Sequence, residues 1–189
     1  MVSGTAQVGT TVVPGRRCRA YTLVEMLILV ALLGIAATML IPSMSNVASF
    51  ETEGAVRRLV ADLSFAQSDA MAQQTPRRVW FESSGTGYRL LSSPFDYDTD
   101  VLYDPLALGT DGQYIVDYSN DDRWRNITVT DVSIDGGETY ITYDEIGSPI
   151  APDGTAGRGG TCRIVGEDET WEVQIAPFTG RVSATRITP

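Results

Sequence analysis

Glu25 stands where a carboxylate is costly. It lies in the run YTLVEMLILVALLGIAATMLI, residues 21–41, which holds no other charged side chain. An ionised acid at the centre of such a helix costs ~2.5–3.5 kcal/mol in lipid, less near the end, and calls for a partner. A new amine, made if the chain is cut just before Tyr21, would supply one; the positive end of a helix also favours an acid. Elsewhere the chemistry-bearing residues are sparse. Histidine is absent, which removes the commonest general base, the Ser–His and Cys–His pairs and histidine metal sites. Asp96, Asp98, Asp100 and then Asp104 alternate as calcium loops do, but Val101 stands where an EF-hand loop needs glycine. This stretch reads as a solvated acidic loop. No metal-ligand cluster, phosphate loop or marked acid pair emerges, so the sequence predicts neither an enzyme nor a cofactor.

The totals fit one modest domain with an appended element: 189 residues, 43% hydrophobic and 20% charged, with nine prolines and eighteen glycines. Such turn-rich sequence suits a β-containing domain. Acids outnumber bases by 24 to 14, for a net charge of −10, and every base is arginine. Three of those arginines precede the apolar run, so the body of the protein is more acidic still. That field repels phosphate backbones, and nucleic-acid binding is not expected.

About 20 apolar residues at ~1.5 Å each cross a hydrocarbon core of ~30 Å. Arg16, Arg17 and Arg19 lie just before the run, and no base follows until Arg57. The excess of positive charge then places the N-terminus in the cytoplasm and everything after Pro42 outside. Cys18 and Cys162 fall on opposite sides, so no disulfide is predicted; Cys162 reads as a small buried residue. A secretory signal would be cut after the run, yet Pro42-Ser43-Met44-Ser45 offers no small-x-small site.

Arg-Cys-Arg-Ala, then Tyr-Thr-Leu-Val-Glu-Met-Leu, then the apolar run, resembles the class III signal of type IV pilins and pseudopilins. The resemblance implies a cytoplasmic cut between Ala20 and Tyr21 by a prepilin peptidase, which also methylates the new N-terminus at Tyr21. It makes Glu25 the acid that pairs with that amine during assembly, and Pro42 the proline that kinks the helix. Ala20 departs from the glycine usual before the cut. The implied organisation is a leader over 1–20, a transmembrane helix over 21–42, its amphipathic continuation over 43–76 and a periplasmic β-rich domain over 77–189.

Val56, Leu59, Leu63, Ala66 and Ala70 recur at three- and four-residue steps, so the spacing predicts helix continuing to Gln73, with Pro76 as its stop. One long helix over Thr22 to Gln73 is expected. Arg58 and Asp62 are placed on its polar side as an i,i+4 pair. Phe65 falls opposite the stripe, either meeting a neighbouring subunit or covered by a loop of its own domain. Alternation then predicts strands over 77–83, 88–91, 114–118, 127–134, 139–143, 162–165, 171–176 and 181–187, with turns at Ser84–Gly87 and Asp135–Gly137. The stretches 92–113 and 147–160 read as loops. The fold class expected is α+β, the long helix packed on an antiparallel β-sheet domain.

Three further segments resemble GspH/FimT-like minor pseudopilins. They are Leu63 to Ala70, like that family's "ARSEA" helix segment; Ile141 to Pro149, a strand with a glycine turn; and Trp171 to Ile175 with Thr179-Gly180-Arg181-Val182, a closing strand pair. The resemblance implies a minor pseudopilin of a type II secretion system, single-pass in the inner membrane. Its partners would be the prepilin peptidase, other pseudopilins through their N-terminal helices, and an inner-membrane assembly platform. The alternative is a FimT-like minor pilin of a type IV pilus, used in assembly or DNA uptake. For DNA capture Arg181, Arg186 and Arg163 are the candidates, opposed by Glu167, Asp168, Glu169 and Glu172 in the same region.

Overall fold

The computed structural model describes residues 21–44, 47–104, 111–124 and 126–188. The leader, with Arg16, Arg17, Cys18, Arg19 and Ala20, lies outside the described residues. The chain divides into two compact units after Ser43.

The first unit holds α1, Leu23–Met44. Apart from Glu25, its described side chains are apolar on every side of the helix and uncovered, Leu23, Val30 and Leu33 being 81%, 67% and 66% exposed. Pro42 falls in its last turn.

The second unit opens with α2, Val47–Gln73. The expected single helix is thus seen as α1 and α2, with residues 45 and 46 between them not described. The α2 terminus is a Schellman-type cap: Gln74 takes φ 51° and the Thr75 amide donates to the Ala70 carbonyl at 3.2 Å. Pro76 follows and cannot continue the helix.

The apolar stripe of α2 faces the core. Ala55, Val56, Leu59, Leu63, Ala66 and Ala70 are 0–3% exposed, and the alanines let the sheets approach closely. Among the described residues nine strands follow: β1 Arg77–Phe81, β2 Gly87–Ser92, β3 Ile115–Asp117, β4 Thr128–Ile134, β5 Tyr140–Tyr143, β6 Pro149–Ile150, β7 Gly160–Val165, β8 Thr170–Ile175 and β9 Val182–Thr188. They form two antiparallel sheets, ordered β3-β2-β1-β5-β6 and β4-β7-β8-β9. The architecture is α+β, a helix packed on antiparallel sheets.

Period-two alternation decides which side chains enter the core. Val79 pairs with Leu90 on one side and Ile141 on the other, and all three are fully buried. The second sheet contributes Val129, Ile134, Cys162, Ile164, Val173 and Ile175 to the same cluster. The eight sequence-predicted strands all form. β6 arises inside the stretch read as a loop, where a two-residue strand leaves no alternation to detect. Asp135 to Gly137 does turn the chain, but it hands it from the second sheet to the first, because β4 pairs with β7 and β5 with β1.

Candidate processing and assembly segment

Tyr21 and Thr22 precede the first helical residue, and Tyr21 is 70% exposed. Thr22 caps the helix: the Glu25 amide donates to its hydroxyl at 3.2 Å and the Met26 amide to its carbonyl at 3.2 Å. Thr22-Leu23-Val24-Glu25 has the S/T-x-x-E spacing of a capping box, a signal legible in the sequence itself. The cap ends the helix two residues after Ala20 in sequence. Glu25 therefore sits in the first helical turn, exposed, where the unpaired amides of the helix end favour a negative charge. Tyr21 stands two residues before the helix and Glu25 in its first turn, whereas Pro42 sits at the other end of the same helix. Among the described residues no helix is long and apolar enough to cross a membrane.

In the second unit the three pseudopilin-like segments meet at one side chain. Gln67 of α2 donates from Nε2 to the Gly147 carbonyl at 2.7 Å and to the Thr179 carbonyl at 2.9 Å. The β5–β6 turn and the β8–β9 turn are thus tied to the same helical residue. At Gly180, φ is 64° and an added Cβ would stand 2.9 Å from Tyr143 Cε1, so only glycine fits without adjustment.

Asp62 corrects the polar-side expectation. It is 4% exposed and accepts from Arg58 Nε at 2.8 Å, the Tyr88 hydroxyl at 2.7 Å and the Tyr114 hydroxyl at 2.9 Å. Burial, and then the neighbouring Tyr118 and Asp62, push the Tyr88 phenol well above its ordinary range; burial and Asp62 do the same for Tyr114. Both remain neutral donors at physiological pH. Phe65 is 43% exposed and stacks on Tyr114 at 5.5 Å, so a segment of its own domain covers one face of the ring.

Cys162 is free and fully buried, and burial pushes its thiol up to about 12, away from reactivity. In the acidic loop, Asp96 accepts the amides of Asp98 and Thr99, and Asp100 accepts that of Asp96. Those carboxylates are engaged with the loop's own backbone, and no metal-holding group occurs among the described residues. Of the arginines considered for DNA, Arg163 meets Asp131 at 2.6 Å and Arg186 meets Glu169 at 3.0 Å. Neither offers the uncompensated charge that phosphate binding uses.

Residues 15–41 match the family model described as the prokaryotic N-terminal methylation motif. No curated protein matches the chain. Among solved structures, the type IV minor pilin FimU of Pseudomonas aeruginosa is similar in two crystal forms. One has 18% identity over 75% of this chain and 94% of that one with a TM-score of 0.45, the other 16% over 72% and 96% with 0.46. The minor pseudopilin EpsH from the type 2 secretion system of Vibrio cholerae has 11% identity over 74% and 98%, with a TM-score of 0.43. TM-scores this low give no argument for function. The motif match concerns the N-terminal segment: residues 15–41, with Tyr21, Thr22 and Glu25 set around a capped helix start, are similar to a prokaryotic N-terminal methylation motif and precede an α+β domain in the chain.

Proposed function

We propose that this chain is a minor pseudopilin, a non-catalytic structural subunit of a type II secretion pseudopilus, matured by a prepilin peptidase. The observation that carries the reading is Glu25 in the first turn of an apolar helix, within the methylation motif and just after a non-helical, exposed Tyr21. Cleavage between Ala20 and Tyr21 frees an amine, which the peptidase methylates. Glu25 is neutralised by such an amine, its own or a neighbour's. Without that pairing the desolvation of a lone acid opposes packing of the helix among like helices. The run over residues 21–41 anchors the precursor in the inner membrane, with the β-rich domain in the periplasm, and Pro42 kinks the helix as it leaves the bilayer. The surface of α1, apolar on every side beyond Glu25 among the described side chains, supports this, since such a helix needs lipid or other helices around it.

Mass spectrometry of the membrane-embedded protein tests the reading. A mature chain beginning at N-methylated Tyr21 is expected, and an intact leader in a functioning protein overturns it. A type IV pilus would use the same motif; loss of secretion on deletion, with pilus-dependent motility kept, assigns the subunit to secretion.

A further inference from the structure

Between β3 and β4 the chain is anchored at both ends and polar in the middle. Tyr118 is buried, and its hydroxyl donates to the Ala55 carbonyl of α2 at 3.3 Å. Ile127 is buried in the same core. Trp124 packs where Gly54 leaves α2 bare, since a Cβ at residue 54 would stand 2.8 Å from its Cζ3. Between these anchors Ser119, Asn120 and Asn126 are exposed, and with Asp121 and Thr128 they line a cleft of about 670 Å³. Asn126 takes φ 61° as the chain turns into β4. Short polar side chains in turns commonly accept a backbone amide two residues on, and Asp117, Asp121 and Asp153 do so here. Asn126 does not. Its side-chain amide, and the hydroxyl of Thr128 at the exposed first position of β4, make no hydrogen bond among the described residues.

We propose that Asn126 is a modification site, the acceptor of an N-linked oligosaccharide transferred from a polyprenyl-pyrophosphate-linked sugar on the outer face of the membrane. The inference rests on the topology proposed above. Asn126-Ile127-Thr128 is an N-x-T triplet whose middle residue is not proline, the acceptor pattern in which a hydroxyl two residues on is read together with the amide. The other asparagines lack it: Asn46 is followed by Val47-Ala48 and Asn120 by Asp121-Asp122. In the transfer the Asn126 side-chain nitrogen bonds to the anomeric carbon, and the bond from that carbon to the donor's phosphate oxygen breaks. The lipid pyrophosphate leaves with the electron pair, and the amide gives up one proton. The two groups a transferase must hold are exposed and uncommitted, so presenting them breaks no side-chain hydrogen bond among the described residues. The cleft then lies beside the first sugar. The Asn120 amide offers it donors and an acceptor, and the Asp121 carboxylate keeps lone pairs beyond those that Arg123 uses.

The test is mass spectrometry of the protein purified from the membranes of its native cells. Trypsin, cutting after Arg125 and Arg158, releases residues 126–158, in which Asn126 is the one asparagine. That peptide is expected to carry sugar-sized mass increments that fragmentation assigns to Asn126 and that a glycan amidase removes, leaving Asp. Expressed in the same cells, Asn126→Gln and Thr128→Val should lose the increments, whereas Thr128→Ser should keep them. Valine fills the space of threonine at an exposed strand position, so its loss of the sugar reports the hydroxyl and not the fold. An unmodified peptide, sugar on a Ser or Thr of the same peptide, or modification that survives Thr128→Val overturns the proposal. The N-terminus is scored on the same samples. A chain that begins at Tyr21 and bears no sugar sinks the modification alone; sugar on Asn126 of a chain with its leader intact upholds the site and overturns the maturation reading instead.

Discussion

The Tyr88 hydroxyl of β2 donates to the Asp62 carboxylate of α2 at 2.7 Å, inside a core otherwise made of aliphatic and aromatic side chains. Tyr114 and Arg58 complete the shell around that carboxylate. The bond fixes the rotation of α2 against the first sheet, since a buried acid is tolerated only where its donors are.

Asp62→Ala leaves the Tyr88 hydroxyl buried without its acceptor and Arg58 without its ion. A loss of about 2–4 kcal/mol is expected, read as a lower urea midpoint for the full chain in detergent. Pairing Asp62→Leu with Tyr88→Phe should recover part of that loss, because no polar group of the pair is then stranded. No recovery would show that the pair is not the coupled unit described.

Alkaline pH probes the same cluster. Tyr88, Tyr114, Tyr118 and Tyr143 are all shifted above the ordinary 10.0, first by burial. The folded state therefore holds phenolic protons that the unfolded chain gives up. Their contribution is fully present below pH 10 and is lost as pH rises beyond it. Unfolding midpoints measured upward from neutral pH should fall above about pH 10 and fall less steeply in Tyr88→Phe.

The proposed cut before Tyr21 makes processing depend on Ala20. Ala20→Trp should leave full-length precursor in the membrane, whereas Ala20→Gly should mature at least as well as wild type. Immunoblots of precursor and mature forms separate the outcomes, and normal maturation of the tryptophan variant would refute the cut site.

Glu25→Ala should insert and mature, then join filaments poorly. Assembly equal to wild type, measured by cross-linking in the membrane, would remove the charge-pairing account.

Gly180→Ala forces a side chain into a left-handed conformation and against Tyr143 and Gln67. A cost of about 1–3 kcal/mol is expected. Gln67→Ala should loosen both the Gly147 and Thr179 turns, seen as faster amide exchange at each. Exchange rising at only one turn would mean that the tie is not shared.

Sequence periodicity located α2 and eight strands because each is a short-range pattern, readable from a few neighbouring residues. The same holds for the methylation motif, where Arg-Cys-Arg-Ala, Tyr21 and Glu25 lie within ten residues of one another, and for the TGR turn, whose glycine meets its conformational need locally. Asp62 shows where such reading stops. Helical spacing sets it with Arg58 on the polar side of the helix, yet it is buried, because Tyr88 and Tyr114, 26 and 52 residues away in the chain, supply its donors. The division of β4 and β5 between two sheets is likewise a product of long-range pairing. Apolar spacing along the chain determined which segments are helix or strand and which side chains turn inward. Which polar groups are buried, paired or left available was decided only by the packed structure, because the free energy of a buried charge depends on donors brought from distant parts of the chain.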